Sequence, residues 1–255
     1  MDAPDMKEQF TMGEISELMN IPTATLRFWE TSGLFSVEKR PNRYRSYTTR
    51  DITKIADVIF YRNMGVSVSQ VREMENYTRE DYEKQMQSMQ EQIKEEMEKY
   101  ARMERKIERQ LARSKEVERL SKCDYVPEEI PFDIVVPFDY REREKLISYI
   151  EEPSRYVRYF DTRDMSTETR GILSNSDFSD SISLWHKKPG TDFITFLIRE
   201  KVNKDYESDV EQSLKKIRKH YSTGCLLAQY LMTAMENGEV VDYLKAYLEV
   251  KSLQI

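Results

Sequence analysis

The fold of the N-terminal segment is decided by residues 11–33, which read Thr11-Met-Gly-Glu-Ile-Ser-Glu-Leu-Met-Asn-Ile-Pro-Thr-Ala-Thr-Leu-Arg-Phe-Trp-Glu-Thr-Ser-Gly33. Thr11 and Glu14 have the spacing of a capping box, in which a hydroxyl and a carboxylate satisfy free backbone N–H groups. Pro22 interrupts the first helix, because the residue before a proline avoids the α region. A second helix follows, and Gly33 ends it because glycine tolerates positive φ. Two short helices joined by a tight turn predict a helix-turn-helix, whose second helix can enter a major groove.

The next segment is basic and rich in tyrosine: Lys39-Arg-Pro-Asn-Arg-Tyr-Arg-Ser-Tyr47. Between Arg27 and Arg62 there are eight basic and four acidic side chains, whereas the whole chain carries a net charge of −6. A positive island in an acidic protein is typical of a nucleic-acid-binding face. Because arginine and tyrosine donate hydrogen bonds to phosphates, the sequence predicts a wing that contacts the DNA backbone.

Two further capping signals complete this N-terminal segment. The pairs Thr48/Asp51 and Ser67/Gln70 each mark the start of a helix, and Gly65 lies between the two helices. The sequence therefore predicts four helices and a basic wing.

This segment contains four spaced motifs: Thr25-Leu-Arg-Phe-Trp-Glu30, Gly33-Leu34, Tyr44-Arg-Ser-Tyr47 with Asp51, and Arg62-Asn-Met-Gly-Val-Ser-Val68. Together these motifs resemble the MerR family of bacterial transcription regulators. The chain departs from the family pattern at Asn20, Phe28, Trp29 and Arg43, and Trp29 is either a core residue or part of the DNA-reading face. The predicted DNA-binding residues are Thr23, Thr25, Arg27, Phe28, Arg43, Tyr44, Arg45 and Tyr47.

The length and composition of the chain limit which classes of protein it can belong to. The 255 residues leave room for two modest domains and a connector, and the two cysteines, Cys123 and Cys225, cannot form a disulfide scaffold. We find no long apolar run and no leader-like N-terminus, so we expect no membrane contact and a cytoplasmic location. We recognise no phosphate-binding glycine loop, no catalytic triad and no pair of histidines at metal-ligand spacing, so we expect no enzyme activity, cofactor or metal.

From Thr78 to Ser121 the chain has neither proline nor glycine, and apolar residues recur at intervals of three and four. This period predicts one long helix whose apolar stripe is too long for its own small domain to cover. We expect this helix to pair antiparallel with the same helix of a second subunit, as in the family that the N-terminal segment resembles. The alternative is that the helix packs on its own C-terminal domain. The predicted dimerisation residues are Met89, Ile93, Met97, Tyr100, Ile107 and Leu111.

After Cys123 the pattern becomes that of an α+β domain. We expect strands at residues 155–160, 181–185, 193–198 and 225–232, and a helix capped by Ser208 with Gly224 past its end. The side chains of residues 243–251 alternate between two faces. One face has Leu244, Ala246, Leu248 and Val250, and the other has Tyr243, Lys245, Tyr247, Glu249 and Lys251. Such alternation predicts a strand with one core face.

The order of these parts resembles the drug-responsive MerR regulators, whose C-terminal domain is gyrase-inhibitor-like. That resemblance implies a hydrophobic, often cationic, ligand held by aromatic rings and a carboxylate. The predicted ligand-binding residues are Tyr156, Trp185, Tyr230, Tyr243, Tyr247 and Glu249, although each ring could instead belong to the core.

The sequence therefore predicts an α+β multidomain protein with a winged helix-turn-helix at 1–76, a dimerising coiled-coil helix at 77–122 and an effector-binding domain at 123–255. The predicted function is a ligand-responsive transcription regulator that binds promoter double-stranded DNA as a homodimer and distorts it for RNA polymerase. The alternative is a constitutive DNA-bending or protein-interaction dimer without a small ligand.

Overall fold

The computed structural model describes residues 9–37, 45–174 and 182–252. The chain forms two compact units, with the division between Lys99 and Tyr100. That division falls inside one long helix, so each unit contains about half of the helix.

The N-terminal unit is helical, as predicted. Its elements are β1 (Gln9–Phe10), α1 (Met12–Leu18), α2 (Thr23–Thr31), β2 (Tyr47–Thr48), α3 (Thr49–Asn63), α4 (Val68–Glu73) and the start of α5 (Arg79–Leu120). The three predicted capping boxes are present at the starts of α1, α3 and α4. Gly33 and Gly65 have φ values of 78° and 88°, which explains why glycine stands after α2 and α3. β1 and β2 pair antiparallel.

The core of this unit is formed by the apolar faces of its short helices. Ile15, Leu26 and Ile55 are fully buried there, and Trp29 is 6% exposed. Of the two alternatives for Trp29, the structure therefore favours the core residue. Because Leu26 and Trp29 lie three positions apart, they fix which face of α2 turns inward.

The long helix predicted for residues 78–121 is α5, with 42 residues from Arg79 to Leu120. Thr78 and Asp81 cap its first turn reciprocally, with the Thr78 hydroxyl 2.6 Å from the carboxylate. Met89 is partly buried against the N-terminal core, but Ile93, Met97, Tyr100, Ile107 and Leu111 are 51–65% exposed. No helix among the described residues is both long and apolar enough to span a membrane.

The C-terminal unit is built on an antiparallel sheet. Its described elements are β3 (Val126–Pro127), β4 (Ile134–Pro137), α6 (Arg143–Glu151), β5 (Tyr156–Asp161), β6 (Asp164–Leu173), β7 (Trp185–His186), β8 (Asp192–Lys201), β9 (Glu207–Ser208), α7 (Val210–Ile217), β10 (Tyr221–Glu236) and β11 (Glu239–Ser252). The strand order is β3-β8-β11-β10-β5-β6-β4-β7, and β9 pairs with β8 at the side of this path. An α+β unit follows the long helix, as predicted.

Three local predictions need correction. The strand expected at 181–185 is limited to Trp185–His186 within the described residues, and residue 181 lies outside them. The helix expected to continue towards Gly224 ends at Ile217, and Gly224 belongs to β10. Ser208 accepts a hydrogen bond from the Val210 N–H, but it ends β9 and does not occupy the N-cap of α7.

Both faces of the central strands are buried, whereas the alternation of β11 predicted only one core face. On one face Leu214 and Ile217 of α7 pack against β8, β10 and β11. On the other face Tyr243 is 7% exposed and Tyr247 is 2% exposed. The reason is that the end of α5, with Leu120, covers Tyr243, while Phe132 packs against Tyr247.

An ion cluster fixes the last turns of α5 to the sheet. Lys245 on β11 is buried, and its ammonium lies 2.7 Å from Glu116 of α5 and 2.5 Å from Glu128. Arg119 bonds both carboxylates at 2.6 and 2.7 Å. The bond from Arg119, reinforced by Lys245 and opposed by burial, lowers the pKa of Glu116 to about 2. Two carboxylates and two cations in one cluster satisfy charges that would be costly to bury alone.

This cluster predicts an acid-dependent loss of stability. Because the pKa of Glu116 is lower in the folded chain, its contribution is complete above about pH 4.5 and is lost as pH falls towards 2. We expect Glu116→Gln to destabilise the C-terminal unit at pH 7 and to flatten its stability profile between about pH 5 and pH 2. The measurement is urea unfolding across that range, with the exposed Glu108→Gln as matched control. An unaltered profile in Glu116→Gln would contradict the role of the cluster.

Candidate functional sites

The outward face of α2 is the candidate DNA-reading surface. Thr23 and Arg27 are exposed, Phe28 is 56% exposed, and Thr25 is half-buried. These side chains lie opposite the buried pair Leu26 and Trp29, which anchors the helix in the core. The face thus combines hydroxyl groups, a guanidinium and an unpacked ring, which can donate to phosphates or contact base edges.

The structure does not present the predicted wing residues as one exposed surface. Arg43 and Tyr44 lie outside the described residues. Arg45 is half-buried, and its Nε donates to Glu30 at 2.7 Å, so a phosphate would have to compete with this ion pair. The prediction that Tyr47 contacts DNA needs correction, because its side chain is fully buried against the helices. Burial raises the pKa of Tyr47, and its hydroxyl has no partner among the described residues.

The C-terminal unit contains a cavity of about 410 Å³ on the face of the sheet that carries α7. We call it the tyrosine cavity, because its lining includes Tyr140, Tyr149, Tyr156, Tyr206 and Tyr230. The rings of Tyr140 and Tyr149 are 6.3 Å apart, and those of Tyr149 and Tyr156 are 6.0 Å apart. Edge-to-face contacts of this kind hold the rings in place and leave a preformed aromatic wall.

The same cavity contains more acid than base. Its lining carries the carboxyl groups of Glu168, Glu200 and Asp242 against the guanidinium groups of Arg158 and Arg170. Arg158 is bonded to Glu200 and lies 3.3 Å from Glu168, so its charge is already neutralised. Asp242 accepts a hydrogen bond from Thr233 at 2.5 Å.

Burial raises the pKa of Tyr156 to about 12, with a further contribution from Glu168. Its phenol is therefore neutral near pH 7. A ring wall with excess carboxylate suits an organic cation.

The predicted ligand-binding residues do not form one site. Tyr156 and Tyr230 line the tyrosine cavity, but Trp185 and Glu249 line a second cavity on the opposite face of the sheet. Tyr243 and Tyr247 share a strand face with Glu249 but are packed in the cores described above. The predicted ligand-binding residues are separated because neighbouring residues of a strand point to opposite faces of the sheet.

Other residues of the tyrosine cavity were missed by the sequence analysis. Tyr140 precedes α6, Tyr149 lies on it, and Tyr206 follows β8. Their only signal is the local frequency of tyrosine, because residues from a loop and a helix do not share the alternation of a strand. The buried pair Arg158–Glu200 joins β5 to β8, which are not sequence neighbours, so spacing could not reveal it.

Comparison with known proteins finds relatives of the N-terminal segment. Residues 10–78 match the family model of the MerR HTH family regulatory proteins. The HTH-type transcriptional regulator HmrR of Rhizobium leguminosarum bv. viciae is 35% identical over 63 residues, which are 25% of this chain and 49% of HmrR. The Multidrug-efflux transporter 2 regulator of Bacillus subtilis (strain 168) is 32% identical over 69 residues, 27% of this chain and 25% of that protein.

A solved structure resembles more of the chain at lower identity. It is the cryo-EM structure of the EcmrR-DNA complex in EcmrR-RPo, with 16% identity, a TM-score of 0.37, and coverage of 94% of this chain and 99% of that one. The chain spans about half the length of one sequence relative and a quarter of the other. The family match spans α1 to α4 and ends just before α5. Residues 10–78 are therefore similar to the helix-turn-helix segment of the MerR-family regulators.

Proposed function

We propose that this chain is a ligand-responsive transcription regulator that binds promoter double-stranded DNA as a homodimer. The observation that carries the proposal is the exposed face of α2, with Thr23, Arg27 and Phe28, inside a domain of the MerR family. Both sequence relatives are named as regulators, which supports the same role here. Arg43, Tyr44 and Arg45 belong to the basic segment that we expect to contact the flanking phosphates.

Charge removal tests the DNA-binding proposal. We expect Arg43→Ala and Arg45→Ala to weaken binding to all sequences and to lower the salt slope by about one each. Arg27→Ala should instead reduce discrimination between the operator and unrelated DNA. The measurement is fluorescence anisotropy with DNA from upstream of the gene at several salt concentrations. Arg79→Ala is the control, because that arginine is exposed outside the proposed surface; unchanged binding in all three variants would contradict the proposal.

The homodimer is supported by the exposed stripe of α5. Ile93, Met97, Tyr100, Ile107 and Leu111 repeat at intervals of three, four and seven, which keeps them on one side of a helix. Burying a large apolar side chain contributes roughly 1.5–3 kcal/mol, so leaving the stripe in water forgoes a large stabilisation. An antiparallel copy of α5 presents the same stripe in return, as a two-fold interface requires.

A charged residue in the stripe tests this interface. We expect Ile93→Glu combined with Ile107→Glu to give a monomer, because the two carboxylates would be buried without partners. Sedimentation velocity at micromolar concentration measures the oligomeric state. Ile182→Glu is the matched control, since Ile182 is 87% exposed and lies outside α5. A wild-type monomer would refute the dimer.

We place the effector in the tyrosine cavity. The excess of carboxylate over guanidinium, together with the ring wall, supports a hydrophobic organic cation. Tyr230, Thr233 and Asp242 form a hydrogen-bonded chain at 2.8 and 2.5 Å, which fixes the carboxylate in the cavity. The name of the Bacillus subtilis relative, a regulator of a multidrug-efflux transporter, agrees with ligands of this class.

Strand β11 connects this cavity to α5. Asp242 and Leu244 line the cavity, whereas Tyr243 and Lys245 on the other face contact the last turns of α5. A ligand that shifts β11 therefore also acts on Glu116 and Leu120. Because α5 continues into the DNA-binding unit, we propose that effector binding is transmitted along this helix to the promoter.

We propose that the outcome is a change of DNA conformation that lets RNA polymerase use the promoter. Distorting promoter DNA costs about 1–6 kcal/mol. Differential binding of the effector to two states of the dimer could supply this free energy. Transcription would then change while the protein stays bound.

Tetraphenylphosphonium is a suitable probe of this mechanism. We expect saturable thermal stabilisation that Asp242→Asn reduces, with promoter opening altered and operator affinity changed by less than tenfold. Asp205→Asn is the matched control, because Asp205 is exposed and does not line the cavity. Release from DNA by several orders of magnitude would indicate a dissociating repressor. Absence of stabilisation across a panel of cations would favour a constitutive DNA-bending dimer.

A further inference from the structure

Helix α7 of the C-terminal unit presents a basic surface to solvent. Its inner face packs Leu214 and Ile217 into the core of the sheet. Between Glu211 and Glu236 the sequence has no acidic residue, although the whole chain has a net charge of −6. We use the name α7 basic patch for the exposed basic residues at the end of α7 and in the turn after it, which are Lys215, Lys216, Arg218, Lys219 and His220.

Two cations of the patch are held by the protein itself. Lys216 forms an ion pair with Asp124 at 2.5 Å. Arg218 donates a hydrogen bond to the carbonyl oxygen of Thr162 at 2.5 Å and lies 4.0 Å from Glu211. These contacts fix the end of α7 against neighbouring segments of its unit. Both ion pairs are exposed to solvent, so they neutralise the surface only weakly.

Lys215 and Lys219 are the free cations of the patch. Neither forms an ion pair within the part of the chain that the structure describes. Backbone hydrogen bonds continue the helical turn past Ile217, so these two lysines, four positions apart, lie on the same side. Like charges at this spacing repel each other, and the helix dipole already has Lys216 and Arg218 as its cations. The stability of α7 therefore does not account for the two free lysines.

From this arrangement we infer that the α7 basic patch is a second DNA contact, which binds backbone phosphates beyond the segment held by the N-terminal unit. The inference rests on the proposed function, because it requires the chain to be bound at a promoter. Duplex DNA carries one negative charge per about 1.7 Å of its axis, so an ammonium group that reaches the duplex releases counterions. The helix α5 tethers the patch to a DNA-binding unit, which gives the patch a high local concentration of phosphates.

The contact is independent of base sequence. Lysine binds a phosphate as a point charge, and phosphate contacts carry no direct sequence information. The patch thus adds affinity for DNA that flanks the operator, whereas the face of α2 selects the operator itself.

DNA length separates this contact from binding by the N-terminal unit. The short duplex is the shortest one that retains sequence-specific binding. The long duplex adds about two helical turns, roughly 20 base pairs, of unrelated sequence at each end. We expect the full-length chain to bind the long duplex more tightly and with a steeper dependence of affinity on salt. Fluorescence anisotropy at several salt concentrations measures both quantities.

Charge removal at the two free lysines gives the decisive variant. Lys215→Gln combined with Lys219→Gln should lower the salt slope on the long duplex by about two for each bound patch and leave the short duplex unaffected. Lys215→Arg combined with Lys219→Arg keeps the charge and should behave like the wild type. The matched control is Lys201→Gln combined with Lys204→Gln, which removes the same charge from exposed lysines outside the patch. Thermal unfolding of each variant verifies that the C-terminal unit stays folded.

The outcomes separate this inference from the proposed function. Equal salt slopes of the wild-type chain on the two duplexes would overturn the inference alone, as would a glutamine variant that keeps the wild-type slope on the long duplex. If that variant keeps the slope but lowers transcription by RNA polymerase, the patch serves an acidic protein surface and the DNA contact is wrong. A wild-type chain for which no duplex shows sequence-specific binding would remove the proposed function, and this inference with it.

Discussion

Six large apolar side chains of α5, from Ile93 to Leu111, are at least half exposed to solvent. They lie along a helix that is held at both ends, by Met89 in the N-terminal core and by Leu120 in the sheet of the C-terminal unit. A helix anchored in this way cannot turn its stripe inward without losing those contacts. This constraint supports the proposed homodimer, because a second α5 would cover the stripe while both ends stay anchored.

Strand β11 joins the cavities of the C-terminal unit to α5. Lys245 and Tyr243 of β11 contact the helix, Asp242 and Leu244 line the tyrosine cavity, and Glu249 lines the second cavity, on the opposite face of the sheet. A single strand therefore touches both cavities and the helix. Since buried cores are densely packed and resist small deformations, we propose that a shift of β11 at the tyrosine cavity also reaches the last turns of α5.

Local signals in the sequence predicted the N-terminal unit well. Capping boxes and glycines at positive φ act within a few residues, so Thr11, Thr48 and Ser67 marked three helix starts correctly. Tyr47 was predicted wrongly as a DNA contact, because the residues that bury it come from elements distant in sequence. The basic segment around Arg43 remains a prediction.

The cavities could be predicted only in part. Of the residues predicted to bind a ligand, Tyr156 and Tyr230 line one cavity, whereas Trp185 and Glu249 line another. Strand alternation separates two faces only when the register between strands is known, and the sequence does not provide this register. The buried faces of Tyr243 and Tyr247 were missed for the same reason, since α5 and Phe132 reach them from distant parts of the chain.

The antiparallel pairing of α5 is the central claim, and a distance between spin labels tests it most directly. Cys123 is exposed at the end of the helix and Cys225 is buried, so the native chain can be labelled at Cys123. An antiparallel pair centred on the stripe separates the two Cys123 labels by roughly 60 Å, at 1.5 Å per residue. A label at Glu104→Cys in a Cys123→Ser background lies near the centre and should give a much shorter distance. Closely spaced Cys123 labels, or no dipolar coupling from either position, would contradict the account.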